Sequence, residues 1–175
     1  MRVNVSDLLA DHDGVRVLTF AEPLLAPADE TVFAEPVTGD ITLTGTAGGV
    51  SLRGQVRAVA TCVCGACLKR FVLPLTVDVA EDFGPRGPQT AAAAAGEERE
   101  LTAGDFLVPV DAGDIIDVTE VVRQHVILAL PLAPRCRDDC PGLCPQCGAD
   151  LNDGPCGCAA DEVDPRLDVL RRWRA

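Results

Sequence analysis

Between Leu52 and Val79 apolar and polar residues alternate with a period of two, the pattern of strands with one buried and one wet face. Leu52, Val56, Ala58, Ala60 and Cys62 fall on one side, against Arg53, Gln55, Arg57 and Thr61 on the other. After a short interruption the alternation resumes, with Phe71, Leu73, Leu75, Val77 and Val79 set against Arg70, Thr76 and Asp78. Two such runs predict an antiparallel hairpin, and Ala47-Gly48-Gly49 predicts the turn that leads into it. The strand signal extends from Ile41 to Phe83, with shorter candidates at Val15–Phe20, Thr31–Glu35 and Phe106–Val110. The first half of the chain therefore reads as a β-meander or small open barrel.

Later the period changes to that of a helix. Asp117-Val-Thr-Glu120 matches a capping box, with Asp117 as N-cap and Glu120 at the third helical position. Val118, Val121, Val122, His125 and Ala129 then recur at helical spacing until Pro131 stops the run, which predicts a helix packed across the sheet. His125 reads as a packed or rim histidine rather than a ligand. Asp164-Pro165 opens a last predicted helix, because proline suits the first helical position. Leu167, Leu170 and Trp173 share one of its faces, with Arg171, Arg172 and Arg174 elsewhere. Between strands and helix, residues 84–104 form a low-complexity insertion around the alanine run Ala91–Ala95, read as a loop without chemistry. The fold class is thus α+β, with a β-rich core over residues 1–134 and a cysteine-rich module with a terminal helix over 135–175.

Composition narrows the function. At 175 residues and 47% hydrophobic content the chain can bury one full core and a small appended module. The stretch from Met1 to Leu9 lacks a long apolar run, and no later stretch approaches the ~20 apolar residues of a span. A cytoplasmic protein without a membrane partner is expected. The net charge of -12 disfavours generic nucleic-acid binding, because phosphate affinity comes from clustered Lys and Arg. Aromatic residues are 3% with no Tyr, too few for a base-stacking platform. Lys69 is the one lysine among 15 basic residues, a bias read as codon usage.

Eight of the nine cysteines then supply the chemistry. Cys64-x2-Cys67 lies at the tip of the predicted hairpin, and Cys136, Cys140, Cys144, Cys147, Cys156 and Cys158 crowd into 23 residues. Short spacings in a reducing compartment read as metal sites rather than disulfides. Two cysteines separated by two residues at a tight turn can aim both sulfurs at one ion, and four thiolates close a zinc shell. Gly148 follows the second knuckle, where a positive φ is often required. The simplest allocation pairs Cys144, Cys147, Cys156 and Cys158 in the tail, and joins Cys136 and Cys140 to Cys64 and Cys67. A single zinc with some free thiols is the rival, and thiolates could also hold iron or an iron–sulfur cluster. Cys62 is the spare, on the apolar face of its strand.

The run from Cys140 to Asn152, Cys140-Pro-Gly-Leu-Cys-Pro-Gln-Cys-Gly-Ala-Asp-Leu-Asn, with Cys156-Gly-Cys158 and Asp164-Pro-Arg-Leu-Asp-Val-Leu170, resembles the tail of the YceD family. Cys64-Gly-Ala-Cys-Leu68 resembles that family's C-x-R-C-L knuckle, with Ala66 in the place of arginine, and Ile116–Pro131 resembles its helix. The resemblance implies a factor for accumulation of 23S ribosomal RNA and the large subunit, with a large-subunit ribosomal protein or a pre-50S assembly intermediate as partner.

A non-enzymatic ribosome biogenesis factor with structural zinc is therefore the leading reading, since an acidic protein can hold a basic ribosomal protein. A zinc-ribbon nucleic-acid-binding or transcriptional protein would need a basic surface, for which Arg166, Arg171, Arg172 and Arg174 are the local candidates. A thiol redox switch shares every ligand with the leading reading. An enzyme is disfavoured, because two histidines and no H-E-x-x-H or phosphate-loop motif leave little for an open metal site.

Overall fold

The computed structural model describes residues 1–23, 32–33, 35–84, 107–111, 113–158 and 166. Its backbone is a mixed α+β arrangement: β1 (Arg2–Asn4), α1 (Ser6–Ala10), β2 (Val15–Glu22), β3 (Val32–Phe33), β4 (Val37–Thr46), β5 (Gly49–Val63), β6 (Arg70–Gly84), β7 (Val108–Pro109), β8 (Ile115–Asp117) and α2 (Val118–Leu128). The main sheet runs β2-β4-β5-β6-β7, with β3 also paired to β5, and β1 pairs with β8 in a separate two-stranded ribbon.

The sheet is open, not a closed barrel. Its antiparallel meander ends in one parallel pairing, of β7 on β6, so the strand predicted at Phe106–Val110 is shorter and enters from the other direction. Of the strand predicted at Thr31–Glu35, Val32 and Phe33 pair with Thr61 and Ala60. The low-complexity segment lies outside the described residues beyond Gly84, which still belongs to β6. So does the predicted last helix, apart from Arg166.

The β5–β6 hairpin dominates, in register from Val50↔Phe83 to Val63↔Arg70. Leu52, Val56, Ala58, Ala60 and Cys62 are all buried, as their alternation requires. On β6 the buried large side chains are Val77, Val79 and Phe83, while Phe71, Leu73 and Leu75 remain half-buried. The cause is coverage. The ring nitrogens of His125 lie 3.0 Å from the Val121 carbonyl oxygen and 3.3 Å from that of Ala80, placing α2 over the β6 end near Ala80. The opposite end of the hairpin carries the first cysteine knuckle, where Ile127, near the end of α2, shares a cleft with Cys62 and Cys64.

Helix α2 begins where the capping box placed it: Asp117 accepts a hydrogen bond from the Glu120 amide at 3.3 Å. Only that half of the box forms. The Glu120 carboxylate turns to Arg123 instead, at 2.5 and 2.8 Å. Val118, Val122 and Val126 are the buried positions, so the inward face is shifted from the predicted one, and Ala129 is exposed beyond the last turn. These valines join Phe20, Ile41, Leu43, Leu52, Val56, Val79 and Phe83 of the sheet, Leu8 of α1 and the preceding Val5 in one apolar cluster. Each such fully buried side chain contributes about 1.5–3 kcal/mol. The short α1 and the β1–β8 ribbon were not legible as elements, since three to five residues carry too little periodicity. The Met1 amino group ties that ribbon down through Glu22 at 2.9 Å and through Thr119.

Candidate metal centres

Two cysteine knuckles fold alike from different sequences. In the hairpin tip the Cys64 amide donates to the Lys69 carbonyl at 2.9 Å and the Leu68 amide to the Cys64 carbonyl at 2.9 Å. In the tail the Cys144 amide donates to Ala149 at 2.8 Å and the Gly148 amide to Cys144 at 2.9 Å. The residue after each second cysteine is left-handed, Gly148 at φ 72° and Leu68 at φ 60°. Glycine takes that conformation freely, whereas in leucine the Cβ meets the backbone at a cost of roughly 1–2 kcal/mol.

The sulfurs gather into two groups of four, Cys64/Cys67/Cys136/Cys140 and Cys144/Cys147/Cys156/Cys158, each with all ligand atoms within 4.8 Å of one another. A tetrahedron with metal–sulfur bonds of about 2.3 Å has edges of about 3.8 Å. The distance from Cys64 to Cys140 is 3.9 Å and from Cys67 to Cys136 is 3.8 Å. Each group could therefore hold one metal ion. The grouping is the one that chain proximity suggested, and Cys62, buried and outside both groups, is the ninth thiol, raised by its burial.

Backbone hydrogen bonding favours one thiolate in each group. Backbone amides of Cys67 and Cys136 point at the Cys64 sulfur and lower its thiol to about 6, while desolvation and the neighbouring sulfurs push Cys136 to about 12. In the tail the amides of Cys147 and Gln146 lower Cys144 to about 6, and the thiols of Cys147 and Cys156 push Cys158 to about 12. Amide donors favour one thiolate in each group, and that thiolate opposes ionisation of the others. A dication among the four sulfurs relieves that opposition. The four cysteines of a group would hold such an ion through four thiolates, and it would cross-link the chain segments that carry them.

Several residues outside the cysteines build the first centre. The Asn152 amide group lies 3.5 Å from the Cys140 sulfur and its other partner is Asp150 at 2.6 Å. That amide is the first cause of the lowered Cys140 thiol, ahead of the Gly142 backbone. The tail docks on the knuckle through Gly65 N–H to Pro134 at 2.7 Å and Leu143 N–H to Ala66 at 3.2 Å. Gly142, at φ 76°, brings its backbone so near Ala66 that a Cβ would stand 2.9 Å from the Ala66 oxygen. Lys69 reaches Asp150 at 2.6 Å and Asp153 at 3.3 Å, and with Asn152 it holds the Asp150 carboxyl down to about 2. The sequence reading took the one lysine as codon bias and so missed its position. Its adjacency to Cys67 was the available signal.

The family comparison covers both centres. A family model described as "Large ribosomal RNA subunit accumulation protein YceD" matches residues 52–172, more than half of the chain, which therefore belongs to the YceD family. Among similar curated proteins, an uncharacterized protein of Mycobacterium tuberculosis is 34% identical over 75% of this chain and 58% of its own length. An uncharacterized protein of Mycobacterium leprae is 29% identical over 90% of this chain and 86% of its own. A Zea mays protein named "Large ribosomal RNA subunit accumulation protein YCED homolog 1, chloroplastic" is 30% identical over 73% of this chain and 50% of its own length. The chain thus spans little more than half the length of the Mycobacterium tuberculosis relative. No solved structure matches it significantly. Among the described residues no helix is long and apolar enough to cross a membrane.

Proposed function

We propose that the chain is a non-enzymatic ribosome biogenesis factor that supports accumulation of 23S ribosomal RNA and assembly of the large subunit in the cytoplasm. Two structural zinc ions hold it together, one in each cysteine quartet. The observation that carries the reading is the family match over residues 52–172, which runs through the hairpin, the helix and both quartets. The sulfur spacing supports zinc as a cross-link, and the acidic net charge of -12 supports a basic partner, a large-subunit ribosomal protein or a pre-50S intermediate carrying one. The organisation is a β core, residues 1–134, and a cysteine-rich module, 135–175, clamped to the core by the first quartet.

Depletion in cells tests the role. Mature 23S rRNA and large subunits should fall while small subunits stay near normal, and unchanged subunit profiles would refute it. In vitro, capture of the basic partner should weaken as salt rises, because the attraction is screened over about 8 Å at physiological ionic strength. Tight binding of naked 23S fragments at that salt would instead favour the nucleic-acid reading, with the arginines of residues 166–174 as the first surface to mutate.

A further inference from the structure

The two quartets differ in who can reach them. In the first, Cys64, Cys67 and Cys140 are buried and Cys136 alone is exposed. In the second the ratio is reversed: Cys144 is buried, and Cys147, Cys156 and Cys158 are exposed. The loops around those three are also open. Gly148, Gly154 and Gly157 all have positive φ, and a Cβ built on any of them would meet nothing within 4 Å among the described residues. The first quartet, by contrast, is overlaid by the docking contacts of Gly65 with Pro134 and Leu143 with Ala66.

We propose that the tail quartet is an oxidative modification site, in which a peroxide converts the four thiolates to two disulfides and releases the metal while the first quartet stays reduced. The inference rests on the two-metal reading above. For zinc the reaction balances as one tetrathiolate complex of charge −2 plus two hydrogen peroxide molecules giving two disulfides, one free dication and four hydroxide ions. Each peroxide O–O bond breaks on attack by one sulfur, and a second sulfur then displaces the resulting sulfenate oxygen. The sulfurs within 4.8 Å of each other need only small movements to pair. Three exposed cysteines give the peroxide its approach, and exposure is one of the factors that make cysteine oxidation site-selective.

Oxidation there need not unfold the protein. All of the quartet's ligands fall between residues 144 and 158. The docking contacts of Gly65 N–H with Pro134 and of Leu143 N–H with Ala66 both lie outside that span. The tail remains seated on the hairpin, and thiol reductant with metal restores the site. The chemistry therefore provides a reversible response to peroxide confined to one end of the module.

The test uses the full chain, reduced and loaded with zinc, and titrated with hydrogen peroxide. Released zinc is read with a chromophoric chelator, and each cysteine is mapped by alkylation and mass spectrometry. The expected result is a first phase releasing about half of the bound zinc, with Cys144, Cys147, Cys156 and Cys158 protected from alkylation by disulfide formation and Cys64, Cys67, Cys136 and Cys140 still reduced. The β-sheet circular dichroism should not change in this phase, and Cys147→Ser should abolish the first phase selectively. Release of all zinc in one phase, or oxidation of Cys64, Cys67 and Cys140 first, would overturn the proposal. Should the chain bind fewer than two ions, the two-metal reading fails, and the order of oxidation on the metal-free reduced chain still decides whether the tail cysteines are the reactive ones.

Discussion

The hairpin knuckle and the tail knuckle have the same turn, the same pair of backbone hydrogen bonds and the same left-handed residue, yet they belong to different kinds of structure. The hairpin knuckle crowns two fifteen-residue strands and gathers ligands from residues 64 to 140. The tail knuckle closes on itself within residues 144–158, and three of its four cysteines are exposed. Local geometry is therefore set by the short motif, whereas energetic weight and reactivity are set by what the knuckle is attached to. A cross-link between distant segments constrains far more chain than one between neighbours.

The sharpest way to break that comparison is to remove one ligand from each centre. Cys64→Ser should loosen the whole C-terminal region and lower Tm by on the order of 10 °C or more, since structural zinc is worth roughly 10–16 kcal/mol in small peptides. Cys147→Ser should leave the main transition within about 3 °C of wild type, because the β core and the docking of Gly65 on Pro134 and Leu143 on Ala66 persist. Hydrogen exchange separates the two: the first variant should expose residues 64–69 and 134–153, the second only 144–158. Identical footprints would contradict the assignment of roles.

A smaller effect sharpens the part played by side chains outside the centres. Glu120 is held down to about 2, first by its hydrogen bonds with Arg123 and then with Gln124. Its folded pKa lies below the unfolded value of about 4.3, so the pair adds stability that is present above pH ~4.3 and is lost as pH falls towards about 2. Arg123→Gln should therefore be less stable than wild type near pH 7 by under about 1 kcal/mol, the pair being half-exposed. The gap should close between about pH 4 and 2, and because it is a difference between two chains the acid lability of the centres cancels. A gap that widens with acid would contradict the sign.

The smallest change concerns Leu68. Replacing it with glycine relieves the left-handed Cβ contact and should raise stability by up to about 1 kcal/mol, partly offset by chain entropy. Leu68→Val, branched at Cβ, should lower it. Chemical denaturation read at the hairpin would register both. The tail knuckle, which already has Gly148, supplies the internal standard: Gly148→Leu should cost what Leu68→Gly gains.

Much of this was legible before any coordinates. Long alternating runs such as Leu52–Cys62 specify strands because one buried face fixes the register, and Asp117 specified a helix start because its carboxylate meets the amide three residues on. Cysteine spacing suggested the tail group because short loops leave few alternatives, and the first group followed as the remaining two pairs. What remained hidden depends on contacts between segments far apart in sequence. The ion pairs of Lys69 with Asp150 and Asp153, the approach of Gly142 to Ala66 and the shortfall of burial at Phe71–Leu75 follow from where the tail and α2 lie on the sheet. No local period encodes such contacts. The parallel seat of β7 belongs to the same class.

The central claim, two metal centres of which one ties the tail to the sheet, is tested most directly by counting metal on three chains. Native mass spectrometry of reduced wild type should give two zinc ions, and of Cys64→Ser and Cys147→Ser one each. The ion kept by Cys147→Ser should resist a chelator longer than the one kept by Cys64→Ser. One ion on wild type, or iron in its place, would contradict the account, and so would equal chelator resistance in the two variants.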